Sequence, residues 1–149
     1  MDIAYITTEE AILIHEKTVL RSGGGSYEIL DRGRIDSILC HIQNDDYYPT
    51  FVDKLHHLFF AFCKFHCFAD GNKRIAITLC ANFLLKNGYL GEAYNFLHQT
   101  ENITYHVASG AISEELLMEI LVAIMGHTFE EDENLTCRIA HAIGNETKW

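Results

Sequence analysis

The spacing of apolar residues along the chain predicts a protein built mostly from helices. Apolar side chains recur at every third or fourth position in several stretches, and this period is typical of a helix with one buried face. The expected helices are one after Thr7, three over about 33–44, 50–65 and 72–86, a shorter one with a turn within 92–107, one after Ser113, and a short one around 135–143.

Local sequence signals indicate where one of these helices begins and where another ends. Thr7 is followed three residues later by Glu10, which is the pattern of a capping box at a helix start. Asn87 and Gly88 provide the left-handed stop that commonly closes a helix. The helix over 72–86 is apolar on almost every side, so it should lie at the centre of the fold. A chain of 149 residues with one proline therefore predicts a single all-α core.

Composition argues against two classes of function. The formal net charge of −10 does not suit a nucleic-acid-binding surface, and a DNA-binding regulator would need a basic recognition helix that the sequence lacks. No segment reaches the roughly 18 uncharged apolar residues of a membrane span. The first residues also lack the pattern of a signal peptide, so the expected location is the cytoplasm.

Five cysteines at irregular spacing favour free thiols in a reducing compartment. Cys63 and Cys67, with His66 between them, offer a zinc site as an alternative. A second cysteine pair at the usual spacing is absent, so buried core thiols are the expected reading.

Residues suited to catalysis or ligand binding are concentrated in nine positions that join the expected helix over 50–65 to the one over 72–86. They read His66-Cys67-Phe68-Ala69-Asp70-Gly71-Asn72-Lys73-Arg74. A glycine turn before a helix leaves free N–H groups at the helix start, which form a binding site for anions. Lys73 and Arg74 would add positive charge there, and Asp70 could hold a magnesium ion that bridges to a phosphate.

This run resembles the signature of the Fic/Doc family, which is written H-x-F-x-D/E-G-N-x-R. Six fixed positions match at the family's spacing, and the resemblance covers about residues 5 to 125. The matching residues are His66, Phe68, Asp70, Gly71, Asn72 and Arg74.

The resemblance implies an architecture as well as a motif. It implies an all-α, Fic-type helical bundle with a small β-hairpin flap, a Fic/Doc domain over 1–126 and a helical extension over 127–149. The flap would pair with an extended stretch of a target protein. Its residues would include Gly23, Gly24, Gly25, Tyr27 and Ile29.

The resemblance also implies a reaction, in which a Ser, Thr or Tyr hydroxyl of a target protein attacks a phosphate of ATP in the presence of Mg²⁺. His66 is implied as the general base, since an imidazole titrates near neutral pH. Asp70 is implied as a catalytic and metal-binding residue, and Arg74 as the residue that stabilises charge on the transferring phosphate. The other implied roles are phosphate binding by Gly71, Asn72, Lys73 and Arg74, and a structural role for Phe68.

Two positions indicate a branch of the family. Adenylyl-transferring members usually carry Gly at position 73 and a second Arg at position 77, whereas this chain has Lys73 and Ile77, as death-on-curing (Doc) toxins do. Doc itself tends to have Ala in place of Gly71. The favoured reading is phosphorylation of a target protein by a Doc-like toxin that an antitoxin protein restrains, and the resemblance to the Doc branch implies a translation factor as the target. The alternatives are adenylyl transfer (AMPylation) and a catalytically silent binding module, against which the intact His66 argues.

Overall fold

Helices make up nearly all of the regular structure in the computed structural model, which describes residues 2–146. Eight helices form within that range, so the predicted all-α class is confirmed. Their bounds are α1 Thr8–Arg21, α2 Arg32–His41, α3 Phe51–Lys64, α4 Asn72–Lys86, α5 Leu90–Thr100, α6 Thr104–Ser109, α7 Glu114–Met125 and α8 Glu133–Glu146. The region expected to hold one helix and a turn contains both α5 and α6, because the chain turns at 101–103. None of these described helices has the length and apolar character needed to cross a membrane.

Helix α4 lies at the centre of the fold, as its sequence predicts. It packs against α1, α3, α5 and α6. The side chains of Ile75, Leu79 and Phe83 on α4 have no exposed surface. Phe83 also stacks on Phe51 of α3, with ring centroids 4.8 Å apart. Because α4 begins directly after residues 66–71, its burial ties those residues, called here the signature loop, to the core.

Side-chain caps define the starts of α1 and α3. The hydroxyl of Thr7 accepts a hydrogen bond from the Glu10 N–H at 3.1 Å, and the Glu10 carboxylate accepts one from the Thr7 N–H at 3.3 Å, which confirms the predicted capping box. A second capping box, between Thr50 and Asp53, opens α3. This capping box is not evident from the sequence, because aspartate stands where the pattern usually has Glu or Gln. The expected left-handed stop is present at Gly88, with φ of +86°.

Replacing Thr50 with alanine is expected to lower the free energy of unfolding by about 1 kcal/mol, because the N–H of Asp53 loses its acceptor at the start of α3. Urea denaturation of the purified variant measures the loss. Thr50→Ser keeps the hydroxyl and should stay close to the unsubstituted protein. Equal stability of the alanine and serine variants would show that the cap contributes nothing.

The glycine-rich segment between α1 and α2 does not form the expected β-hairpin. Within residues 2–146 the strand pairing is limited to one antiparallel bridge, between Ile29 and Phe68 of the signature loop. The Leu30 N–H donates to the carbonyl of Cys67 at 2.8 Å, and the Ala69 N–H donates to the carbonyl of Glu28 at 3.0 Å. The segment pairs with the signature loop through the N–H groups of Leu30 and Asp31 and the carbonyl of Glu28, rather than with itself. The name flap is kept below for residues 22–31.

Helix α8 packs on α7 and is longer than the short terminal helix expected from the sequence. Leu135 is buried against the core, and Ile139 is partly buried beside it. Arg138 donates two hydrogen bonds of 2.7 Å to the carboxylate of Glu119 on α7. The division of the chain at residue 126 into a domain and an extension stays a prediction.

Candidate active site

The signature loop joins α3 to α4 through a glycine in the left-handed conformation. Gly71 is the N-cap of α4 with φ of +75° and ψ of +20°, and its carbonyl accepts the N–H of Ile75 at 2.8 Å. Residues with a side chain rarely adopt that conformation, so the sharp entry into α4 depends on glycine. No side chain caps the start of α4, whereas Thr7, Asp31, Thr50 and Ser113 cap other helices. The first N–H groups of α4 are therefore available to a ligand.

Two residues hold the shape of the loop. Phe68 is fully buried, and its ring stacks on the ring of His15 from α1, with centroids 3.7 Å apart and planes 9° apart. The Asn72 side chain spans the loop, because its Oδ1 accepts the N–H of Phe68 at 3.1 Å and its Nδ2 donates to the Phe68 carbonyl at 2.8 Å. Both the oxygen and the nitrogen of the Asn72 side chain therefore bond the signature loop, and Asn72 stabilises the conformation of that loop.

Five of the six predicted catalytic and phosphate-binding residues share one cavity of about 410 Å³. It lies between the signature loop and α6. His66 is exposed at this cavity, which leaves its imidazole open to a substrate. The predicted residues that line it are His66, Asp70, Gly71, Asn72 and Lys73, and they are joined by Lys64, Tyr105 and Ser109 among others.

Arg74 opens onto a different cavity. It lines a space of about 650 Å³ between α1, α4 and α5, together with Ile77 of α4 and the cations Lys17 and Arg21 of α1. Its guanidinium makes no hydrogen bond or ion pair within residues 2–146. The two predicted catalytic residues His66 and Arg74 therefore line different cavities.

The Asp70 carboxylate holds the flap next to the signature loop. Its Oδ2 accepts the N–H of Ser26 at 3.1 Å. A Cβ added at Gly25 would lie 3.4 Å from that oxygen and 3.3 Å from Val19, and Gly25 has φ of +134°, so this close approach requires glycine. Of the other predicted flap residues, Gly23 and Gly24 face open space, Tyr27 is about half exposed, and Ile29 forms the bridge to Phe68.

Asp70 can provide one ligand for a magnesium ion. A carboxylate oxygen is a ligand type that Mg²⁺ prefers, and the Oδ1 of Asp70 has no hydrogen-bond partner among the described residues. The part of the chain that the structure describes contains no group of three or more His, Cys, Asp or Glu side chains arranged to hold a metal ion. Mg²⁺ commonly keeps several waters and binds through one or two carboxylates plus substrate phosphates. The site therefore fits a magnesium ion that arrives with a nucleotide.

The two thiols near the signature loop lie in the protein interior. Cys63 and Cys67 are buried. Burial raises the pKa of Cys63 to about 12 and the pKa of Cys67 to about 11. Both residues belong to the hydrophobic core, as the sequence predicts for these two thiols.

Two residues at the site were not found from the sequence. Tyr105 of α6 lines the His66 cavity, and the Lys73 ammonium lies 5.9 Å from the centroid of its ring. His15 of α1 is fully buried against the signature loop. Neither belongs to a motif, and each reaches the loop only through the packing of distant helices, so no local pattern could have identified them.

Comparison with known protein families gives a match for this chain. The model of the Fic/DOC family matches residues 5–84, which is more than half of the chain and includes the signature loop, the flap and most of α4. No curated protein matches the chain. On the strength of the family match, the chain belongs to the Fic/DOC family.

Proposed function

We propose that the protein transfers the γ-phosphoryl group of ATP to a Ser, Thr or Tyr hydroxyl of a target protein. The Fic/DOC family typically transfers nucleotide-derived groups onto proteins, generally with ATP and Mg²⁺. The observation that carries the proposal is one shared cavity, which is lined by the exposed His66, by Lys73 and by Gly71 and Asn72 at the uncapped start of α4. Attack of a hydroxyl on a phosphate requires a general base and an anion-binding site in the same cavity.

His66 acts as the general base in this proposal. It takes the proton from the target hydroxyl as the new oxygen–phosphorus bond forms and the bond to the ADP oxygen breaks. The flap lies beside the same loop through the bridge between Ile29 and Phe68, so a target strand paired with the flap would bring its hydroxyl near His66. Asp70 would hold the Mg²⁺, which neutralises charge on the phosphates when it is bound.

The position of Lys73 supports phosphoryl transfer. Lys73 lines the cavity that contains His66, and its ammonium lies 5.9 Å from the ring centroid of Tyr105, another lining residue, so it would stabilise charge on a phosphate bound there. Ile77 lines the cavity of Arg74 in place of a second signature arginine, and it offers no charge to a pyrophosphate. Adenylyl transfer is the second candidate function, because Lys17 and Arg21 line the Arg74 cavity and could hold a pyrophosphate leaving group there.

We also propose that restraint of the activity comes from a separate antitoxin protein, as in the Doc branch. An inhibitory glutamate within this chain would have to reach Arg74. Glu133, in the acidic run at the start of α8, belongs to a helix that packs on α7, whereas Arg74 faces the cavity between α1, α4 and α5. No ion pair joins Glu133 to Arg74 in the described chain, which favours restraint by an outside partner.

Labelled ATP tests the proposed reaction. The protein is incubated with Mg²⁺, a cytosolic extract and ATP labelled at either the α- or the γ-phosphate, and labelled bands are analysed by intact mass. Phosphoryl transfer predicts γ-label on the target and a mass gain of one phosphate. Transfer of α-label would instead establish adenylyl transfer, and the absence of both labels with every nucleotide would favour a silent binding module.

Replacing Lys73 with alanine is expected to lower γ-label transfer by about 10- to 100-fold, because a hydrogen bond to a charged group contributes about 1.5–3 kcal/mol. Initial rates at saturating ATP measure the effect. Lys86→Ala is the matched control, since Lys86 lies at the far end of α4 and pairs with Glu10. A Lys73→Ala variant as active as Lys86→Ala would remove Lys73 from the phosphate site.

A further inference from the structure

His15 is a buried polar residue that contacts the signature loop from another helix. Its side chain has no exposed surface, and its ring lies flat against Phe68. Its Nε2 is 2.7 Å from the backbone carbonyl oxygen of Asp70. A carbonyl oxygen only accepts hydrogen bonds, so Nε2 carries the hydrogen and donates it. The other ring nitrogen, Nδ1, is buried without a hydrogen-bond partner in the described chain, so the bond to Asp70 is the polar contact that the ring makes there.

This hydrogen bond fixes the direction of the peptide group between Asp70 and Gly71. In a trans peptide the C=O and the N–H point in opposite directions, and the described chain contains no cis peptide bond. The Asp70 carbonyl points inward at His15, so the Gly71 N–H points outward. Gly71 lines the cavity that contains His66, and no backbone hydrogen bond within residues 2–146 uses its N–H. The Gly71 N–H therefore has no acceptor in the described chain, points away from His15 and belongs to a residue that lines the cavity.

Without such a tether the peptide group could turn over. Glycine adopts positive and negative φ about equally well, so Gly71 itself does not fix the direction of the preceding peptide. Val19, one turn after His15 on α1, limits the space at Gly71, where an added Cβ would lie 3.5 Å from a Val19 methyl and 3.6 Å from the His15 Nε2. That contact restricts bulk but supplies no hydrogen bond, and the direction of the N–H depends on His15.

We propose that His15 is a positioning residue for the transfer reaction: by holding the Asp70 carbonyl, it keeps the Gly71 N–H directed at the phosphate under attack. This inference rests on the proposed function, because it assumes that a phosphate occupies the His66 cavity. The Gly71 N–H then acts together with the uncapped start of α4 as a preorganised donor to the developing charge.

Three substitutions distinguish the hydrogen bond donated by His15 from the packing of its ring against Phe68. His15→Phe keeps a flat ring against Phe68 and removes the donor, and His15→Leu removes the donor with a different shape. His15→Gln places an amide N–H near the position of the imidazole Nε2. His56→Phe is the matched control, because the His56 Nε2 also bonds a backbone carbonyl, that of Glu114 at 2.8 Å, far from the signature loop.

The kinetic test measures γ-label transfer at varied ATP. We expect His15→Phe to lower kcat by about 10- to 100-fold, which does not exceed the usual loss when one oxyanion-hole donor is removed. The KM for ATP should change about twofold or less. His15→Gln should recover most of kcat, and His56→Phe should match the unsubstituted protein. If His15→Phe does not fold, His15→Leu replaces it in the comparison. Unchanged kcat in the donor-less variant, or an equal loss in the Gln variant, would overturn the inference.

A second measurement does not depend on transfer. The amide resonance of Gly71 is followed by NMR as ATP and Mg²⁺ are added. We expect a clear shift in the unsubstituted protein and in His15→Gln, and a much smaller shift in His15→Phe. Equal shifts in all three would overturn the inference even if transfer occurs. The expected shifts in a protein that transfers neither label would support the role of His15 in phosphate binding while the proposed function fails.

Discussion

Replacing His66 with alanine is expected to lower the rate of transfer by about 10²–10⁴-fold, the usual loss when a general base is removed. The imidazole is exposed on the cavity that also contains Asp70 and Lys73, so it can reach an incoming hydroxyl. Its removal should leave the fold intact, since an exposed side chain contributes little to packing. Binding of ATP should also change little, because the uncapped start of α4 and Lys73 remain in place.

Initial rates with labelled ATP and equilibrium binding of ATP measure these two effects on the same variant. His98→Ala is the control, because His98 is another exposed histidine and contacts Tyr94 on α5, away from the signature loop. A large loss of transfer with unchanged binding supports the role of a base. Full activity of His66→Ala would remove the assignment and with it the proposed mechanism.

Replacing Phe68 with alanine is expected to lower the free energy of unfolding by about 3–5 kcal/mol, the usual range for a buried phenylalanine. Phe68 has no exposed surface, stacks on His15, and forms the backbone bridge to Ile29 of the flap. A cavity at this point would loosen α1, the flap and the signature loop together. Since whole domains are stable by only about 5–15 kcal/mol, the variant should be close to unfolding at moderate temperature.

Chemical denaturation monitored by circular dichroism measures the loss. Phe65→Ala provides a comparison from the same region, because Phe65 is 36% exposed and should lose clearly less stability. Phe68→Leu should fall between the two, since it keeps most of the buried apolar volume. Equal stability losses at positions 65 and 68 would show that Phe68 is not a special anchor of the signature loop.

Local sequence patterns were sufficient for the helices and for the motif. The start of α1 at Thr7 and the stop at Gly88 depend on side-chain and backbone bonds within a few residues, so the sequence displays them directly. The central place of α4 also follows from its own residues, because a helix that is apolar on nearly all sides must be buried. The spacing between His66 and Arg74 identified the family for the same reason, since those nine positions form one continuous loop and helix start.

The arrangement of the site depended on contacts between residues far apart in the chain. The flap pairs with the signature loop instead of forming a hairpin. The sequence could not predict this pairing, because Ser26 and Asp70 lie 44 positions apart and nothing in the glycine-rich segment indicates that partner. His15 resembles any histidine on a partly apolar helix until α1 packs against Phe68. The burial of Lys54 could not be predicted from local sequence either. This lysine in an apolar stripe is fully buried, because α2 and the turn after it bring the Ile42 carbonyl and Asp45 to its ammonium.

The division of Arg74 and His66 between two cavities has the same origin. Both residues stand within nine positions of sequence, yet His66 precedes the turn at Gly71, Arg74 lies on α4 beyond it, and the two residues line different cavities. The residue types and their spacing thus set the helices, the glycine turn and the family. Which side chains share a cavity, and which backbone donors face it, follows from how α1, α4 and α6 pack, because those contacts join groups that no local pattern relates.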